Sequence, residues 1–165
     1  RELEALTAAA RSLADLRIVV GQFGGLSGLS RQLVQALRHR SATVIASDEP
    51  DASAQAEAAN RFAATVYVGF EAQADTEPIV HYYAVPQFES VGGRELATRV
   101  ADCCRMSTAF RPGIRGMRLP VLRETRMPAV LFTVGDAQPA LDGSLDIVSA
   151  VIDALELWAS APISE

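Results

Sequence analysis

The chain has 165 residues, of which 49% are hydrophobic and 21% charged, and this composition predicts a single folded domain, not a disordered segment. The formal net charge of −5 argues against a protein that binds nucleic acid over its whole surface. No apolar stretch approaches the roughly 18–20 residues that a membrane span requires, and no signal peptide is visible. Because the sequence starts at Arg1 without a methionine, we expect a domain taken from a longer protein.

The first half of the chain predicts strands that alternate with helices. Residues 2–14 carry leucine and alanine at helical spacing, which predicts a lead-in helix or the end of a linker before a main domain over residues 15–165. Runs of β-branched residues predict strands at residues 16–20, 42–47 and 65–70. A helix capped by Ser27 or Ser30 is predicted after the first strand, and an Ala-rich helix capped by Asp51 is predicted after the second.

The second half of the chain continues the alternation. A strand with aromatic side chains on both faces is predicted at residues 79–84, and a helix is predicted from the residue after Gly93 to about Met106. An irregular loop, a short strand and a buried strand are predicted at residues 107–116, 119–122 and 129–134. The last helix is predicted to begin at a cap on Asp142 or Ser144. Its predicted core-facing residues are Leu145, Val148, Ile152 and Leu155.

Strands and helices at this spacing predict an α/β fold, with one mostly parallel, twisted sheet and helices on both faces. The only cysteines of the chain, Cys103 and Cys104, are adjacent. A disulfide between neighbours is strained, so we expect two reduced thiols and, from them, a cytoplasmic protein. The sequence contains no Walker phosphate loop, no dinucleotide-binding glycine motif and no nucleophile elbow.

Three segments carry a resemblance to a known family. They are "LRIVVGQFGG" (16–25), "AEAANRFAATVYVGFEA" (56–72) and "VLRETRMPAVLFTVGDAQ" (121–138). In order and spacing the chain resembles the zinc-dependent N-acetylmuramoyl-L-alanine amidases of the Amidase_3 type. There the corresponding segments lead into a Pro-Gly-His-Gly-Gly loop, a Ser-Ile-His-Ala loop and a late strand that ends in Glu-Val-Gly. The resemblance extends over about residues 15–160 and implies a zinc-amidase-like fold.

The zinc ligands and the catalytic residue of that family are not matched in this sequence. The resemblance puts the first zinc-ligand His on Phe23, the second ligand, a Glu, on or near Leu26 or Ser27, the third, a His, on Phe70, and the catalytic Glu on Thr133. Phe and Leu cannot coordinate a metal, and a Thr hydroxyl cannot act as a general base near neutral pH. We therefore expect no zinc or other cofactor, no catalytic residue, and two Phe side chains that fill the former metal pocket.

The resemblance is closer to a regulatory branch of the family in actinobacteria, which also lacks the ligand histidines and has a segment similar to "ETRMP" (124–128). It implies a cytoplasmic pseudoenzyme that regulates peptidoglycan synthesis in cell wall biogenesis through a protein–protein interaction. The implied partner works in peptidoglycan-precursor synthesis or lipid II export, and through it the protein would associate with the membrane. A muropeptide-like cell-wall precursor is the alternative ligand. Neither nucleic acid nor a membrane span is implied.

Two other functions stay open. An unrelated α/β domain would bind a nucleotide or another small molecule through the backbone N–H groups of its glycine loop. An active amidase with a relocated site would use His81, Cys103 and Asp136.

Candidate binding residues come from charge and position. From Arg94 to Arg126 the chain has eight arginines and three acidic residues, which favours an anionic partner. The guanidinium group suits bidentate recognition of carboxylate or phosphate. The arginine candidates are Arg115, Arg118, Arg123 and Arg126. Gln22 and Asp136, at predicted strand ends, would line a residual cleft.

Overall fold

A seven-stranded mixed sheet forms the centre of the protein, whose computed structural model describes residues 11–161. The strands are β1 (Arg17–Phe23), β2 (Thr43–Ser47), β3 (Val66–Ala72), β4 (Ile79–Val85), β5 (Phe88–Glu89), β6 (Gly113–Met117) and β7 (Ala129–Gly135). The central order is β2-β1-β3-β7-β4, and both β5 and β6 pair with β4. Only β4 against β7 and β5 against β4 are antiparallel within this region, so the predicted mostly parallel α/β sheet is confirmed.

Helices cover both faces of the sheet. They are α1 (Ser27–His39), α2 (Ala52–Arg61), α3 (Val91–Ser107), α4 (Pro120–Glu124), α5 (Ala137–Asp142) and α6 (Ser144–Ser160). Successive side chains of a strand point to opposite faces, so a central strand contributes side chains to two hydrophobic cores, one on each face of the sheet. On the first face, Val68 and Phe132 pack with α1, α3 and α6. On the second face, Tyr67 and Leu131 pack with α2 and α4.

Two predicted caps have different outcomes. The Asp51 carboxylate accepts hydrogen bonds from the backbone N–H groups of Ser53 and Ala54, so it caps α2 as predicted. The predicted caps of α1 at Ser27 or Ser30 are wrong, because Leu26 holds the N-cap position and makes no side-chain cap. The free N–H of Leu26 instead donates to Gln22 Oε1 at 2.8 Å, from the end of the preceding strand.

Several predicted elements are corrected. The second half of the predicted loop, from Gly113, belongs to the edge strand β6 (Gly113–Met117), and the predicted short strand near 119–122 is the helix α4, with Pro120 at its first turn. The cap of α6 is Gly143, and Leu145 is 76% exposed, so it does not face the core. Most of the predicted lead-in helix lies outside the described residues, and Leu13–Asp15 forms one 3-10 turn.

The buried phenol of Tyr67 lies close to the backbone of two strands. A methyl group at Gly21 would lie 2.5 Å from Tyr67 Oη, and one at Gly69 would lie 2.6 Å from it. The phenol donates a hydrogen bond to Gln55 Oε1, and Gln55 Nε2 donates to the carbonyl of Glu49 at 2.9 Å. Glycine on both strands therefore makes room for a polar link between the sheet and α2. None of the helices between residues 11 and 161 has the length and apolar character that a membrane crossing requires.

Candidate functional site

Three neighbouring strands bring Phe23, Glu71 and Thr133 side by side at the carboxyl edge of the sheet. The Cα atom of Phe23 pairs with that of Glu71, and Glu71 pairs with Thr133. Residues in register on adjacent strands project from the same face. The three side chains therefore lie in one row on the second face, which we call the edge row.

Phe70 does not belong to the edge row. Its register partners are Gln22 and Phe132, and its ring lies in the core of the first face, with its centroid 6.1 Å from that of Phe132. Leu26 is also fully buried in that core. The expectation that Phe70 fills a pocket together with Phe23 is wrong, because the two side chains leave the sheet on opposite faces.

Glu71 is the site residue that the sequence analysis missed. Setting Gly69-Phe70-Glu71-Ala72 against the family's Ser-Ile-His-Ala puts the His position at Glu71, which is in register with Phe23 and Thr133, whereas Phe70, the predicted position, lies on the opposite face. The Glu71 carboxyl is half-buried, and burial raises its pKa. Within residues 11–161 its side chain has neither a hydrogen bond nor an ion pair, so it is a partly solvated acid at the centre of the edge row.

Thr133 and His81 form a buried polar pair next to Glu71. Thr133 is 3% exposed and His81 is 7% exposed, and the distance from Thr133 Oγ1 to His81 Nδ1 is 3.3 Å. Burial lowers the pKa of His81, and the positive charge of Arg115 on β6 lowers it further, against a backbone hydrogen bond at Leu131 that raises it. The imidazole is therefore held neutral, and a substrate has no direct access to either side chain.

The donor set of the edge row does not fit zinc. A catalytic zinc site takes three protein ligands drawn from His, Cys, Asp and Glu. Glu71 is the single such ligand in the row, beside the hydrocarbon ring of Phe23 and the hydroxyl of Thr133. Across residues 11–161, no three His, Cys, Asp or Glu side chains lie close enough together to hold a metal ion.

The residues suggested for a relocated active site are not brought together. His81 projects from the second face, whereas Cys103 lies on α3 and packs against the core of the first face. Both cysteines are free thiols, as predicted, and burial raises the pKa of the Cys103 thiol, which disfavours the nucleophilic thiolate. Asp136 is exposed at the start of α5 and caps no N–H there with its side chain.

Gln22 has a structural role in the fold. Its side chain is 8% exposed, so it is buried and not open to a cleft. Besides accepting from Leu26, its amide donates to Asp48 Oδ1 at 2.9 Å. Gln22 thereby satisfies a backbone donor at the start of α1, which is one of the groups that a phosphate in the glycine loop would use.

The four candidate arginines are all exposed but fall into different places. Arg115 lies on the edge strand β6 opposite His81, and Arg118 follows that strand. Arg123 lies in the last turn of α4 and Arg126 shortly after it, and both line one cleft with Tyr83. The four candidate arginines therefore lie in two places, and Arg123 and Arg126 line the same cleft.

Comparison with solved structures identifies the fold. An N-acetylmuramoyl-L-alanine amidase, Ami1 from Mycobacterium smegmatis, has a TM-score of 0.74 at 12% identity, over 90% of this chain and 98% of its own. The enzyme from Clostridium difficile 630 has a TM-score of 0.69 at 16% identity, over 87% and 96%. The catalytic domain of CwlV from Bacillus (Paenibacillus) polymyxa var. colistinus has a TM-score of 0.66 at 17% identity, over 87% and 98%.

These likenesses establish that the domain has the fold of the N-acetylmuramoyl-L-alanine amidases. No protein-family model matches the sequence, and no curated protein matches it. At identities of 12–17% the solved structures define the architecture, and the chemistry must be argued from the residues of this chain.

Proposed function

We propose that this domain is a catalytically inactive, amidase-like pseudoenzyme that regulates peptidoglycan synthesis by binding a protein partner or a cell-wall precursor. The composition of the edge row carries the proposal. At the carboxyl edge of an amidase fold, the side chains in register on β1, β3 and β7 are a phenyl ring, one carboxylate and a buried hydroxyl. Without three ligands there is no metal to lower the pKa of a water molecule, and Thr133 supplies no general base.

Sequence resemblance supports the regulatory part. The chain resembles the amidase domain of the actinobacterial regulator CwlM, which also lacks the ligand histidines. On this proposal the domain works in the cytoplasm, needs no cofactor, and binds a protein of peptidoglycan-precursor synthesis or lipid II export, with a muropeptide-like ligand as the alternative.

Elemental analysis and a hydrolysis assay test the inactive state together. Purified protein is equilibrated with zinc, desalted and analysed for metal, and the same sample is incubated with purified peptidoglycan. An active amidase of the same fold, such as Ami1, serves as the positive control. We expect less than stoichiometric zinc and no release of peptides above the protein-free background. One equivalent of zinc together with cleavage would overturn the proposal.

The regulatory part needs a separate experiment with the full-length protein. It is captured from cells and its partners are identified by mass spectrometry. Recovery of an enzyme of precursor synthesis or a lipid II exporter, confirmed with the two purified proteins, supports regulation. Recovery of neither, with muropeptide binding also absent, contradicts it.

A further inference from the structure

A cleft of about 210 Å³ lies at the other end of the sheet from the edge row, between the β4–β5 hairpin and the segment after α4. The rings of Tyr83 and Phe88, with centroids 6.1 Å apart, form one wall, and Met127 lines the other. Ala129, which also lines the cleft, begins β7 four residues before Thr133. At 3.3 Å per residue the cleft is about 13 Å from the edge row.

The basic side of this cleft is fixed by Asn60 on α2. Its Nδ2 donates to the carbonyl of Glu124 at 2.8 Å, and its Oδ1 accepts from the N–H of Arg126 at 2.9 Å. One side chain thus holds both ends of the turn over residues 124–126, which carries Arg126 and directly follows Arg123. A binding surface with a fixed backbone loses less entropy when a partner docks.

The charges of the cleft are unequal. Arg123 has an ion pair with Glu124 at 3.0 Å, whereas the exposed guanidinium of Arg126 has no ion-pair or hydrogen-bond partner in the described part of the chain. Arg126 therefore offers a full set of donors beside an apolar, aromatic wall. This combination recognises a carboxylate that is adjacent to an apolar group.

The geometry points to a docking site for an acidic segment of a partner protein, with one apolar side chain in the cleft and flanking carboxylates on Arg126 and Arg123. Size selects a peptide, because small-molecule pockets have volumes of about 300–1,000 Å³ and this cleft has room for one large side chain. The inference names the surface for the partner binding proposed above and rests on that function.

Titration with designed peptides tests the inference. The probe is a fluorescein-labelled peptide, Ser-Glu-Asp-Leu-Asp-Glu-Ser. Two control peptides accompany it: the neutral twin has Asn and Gln in place of the acidic residues, and the Ser twin has Ser in place of Leu. Binding is followed by fluorescence anisotropy and by backbone NMR shifts of the full chain. The variants are Arg126→Glu, Phe88→Ala and the matched control Arg31→Glu, at an exposed arginine of α1 on the first face.

We expect the acidic peptide to shift the amide signals of Phe88, Arg126 and Met127, and to bind more weakly as salt rises. Arg126→Glu should weaken binding about fivefold, the upper end for an exposed charge pair, because the reversal also adds repulsion, and Arg31→Glu should change it by less than about twofold. Phe88→Ala and the Ser twin should weaken binding to a similar extent. The NMR spectra also show that each variant is folded.

Three results would overturn the docking site: equal binding of the neutral twin, shifts confined to other surfaces, or no binding of the acidic peptide. If N-acetylmuramyl dipeptide shifts the cleft signals and the acidic peptide does not, the site takes a small molecule and the inference is wrong. These outcomes are separate from the proposed inactivity. If the protein takes up zinc and cleaves peptidoglycan but still binds the acidic peptide, the proposed inactivity is wrong and the docking site stands.

Discussion

Replacing Gln22 by Met tests whether this residue serves the fold or a ligand. Met has nearly the same shape and volume as Gln but neither donates nor accepts a strong hydrogen bond. The substitution removes the 2.8 Å bond from the N–H of Leu26 and the 2.9 Å bond to Asp48. Because the bond to Leu26 is buried, its N–H is left without a partner and without water.

The expected loss of stability follows from these two bonds. A buried donor left unsatisfied costs about 1–3 kcal/mol, whereas the carboxylate of exposed Asp48 regains water at little expense. Burying the Met side chain, at a position in register with Phe70, offsets about 1 kcal/mol of the loss. The net destabilisation is therefore about 1–2 kcal/mol, which lowers the melting temperature of a chain of this size by about 2–8 °C.

Urea unfolding followed by circular dichroism measures the difference. The matched control is Gln35→Met, at an exposed position on α1, and its stability should lie within about 0.5 kcal/mol of the unaltered protein. Binding of a cell-wall precursor or an acidic peptide should be the same for both variants. Equal stability of the two variants, or a loss of binding confined to Gln22→Met, would refute the structural role.

Three further predictions concern the second face. Gly21→Ala should destabilise by about 1–3 kcal/mol, because the new methyl group overlaps Gln55 and Tyr67, whereas Gly113→Ala, with open space around it, should be nearly neutral by thermal melting. Burial raises the pKa of Glu71, so its ionisation disfavours folding as pH rises above about 4.3, its usual pKa. Glu71→Gln should therefore be more stable than the unaltered protein at pH 7 and equal to it below pH ~4, in urea titrations at both values. The pKa of His81 is lowered by burial, so the unfolded chain takes up that proton first and stability falls as pH drops below about 6.5. His81→Gln should flatten that decrease, and an unchanged pH profile would contradict the assignment.

The buried strands and long helices were predictable from sequence because their patterns are local. β1, β3 and β7 each begin with or contain three or more consecutive buried apolar residues, as expected where both faces of a parallel sheet are covered. β6 was missed because it is an edge strand whose side chains are mostly exposed, so no alternation marks it. The five residues of α4 are too few to show a helical period, and apolar residues beside Pro120 resemble a strand.

The candidate site was predictable only in part. Phe23 and Thr133 were found from motif matches, and they do share a face. Phe70 was assigned in place of Glu71 because a single sequence does not show how neighbouring strands are aligned. A shift of one residue along a strand moves the side chain to the opposite face of the sheet. The two hydrogen bonds of the Asn60 side chain join residues more than sixty positions apart in the chain, so no local sequence pattern could reveal them.

The register of the edge row also makes this chain a starting point for metalloprotein engineering. Paired strands lie about 4.8 Å apart, so histidines in place of Phe23 and Glu71 would present two imidazoles to one ion. A carboxylate in place of Thr133 would place a third donor in the same row. Three substitutions would thus separate the present edge row from one with three metal-binding donors.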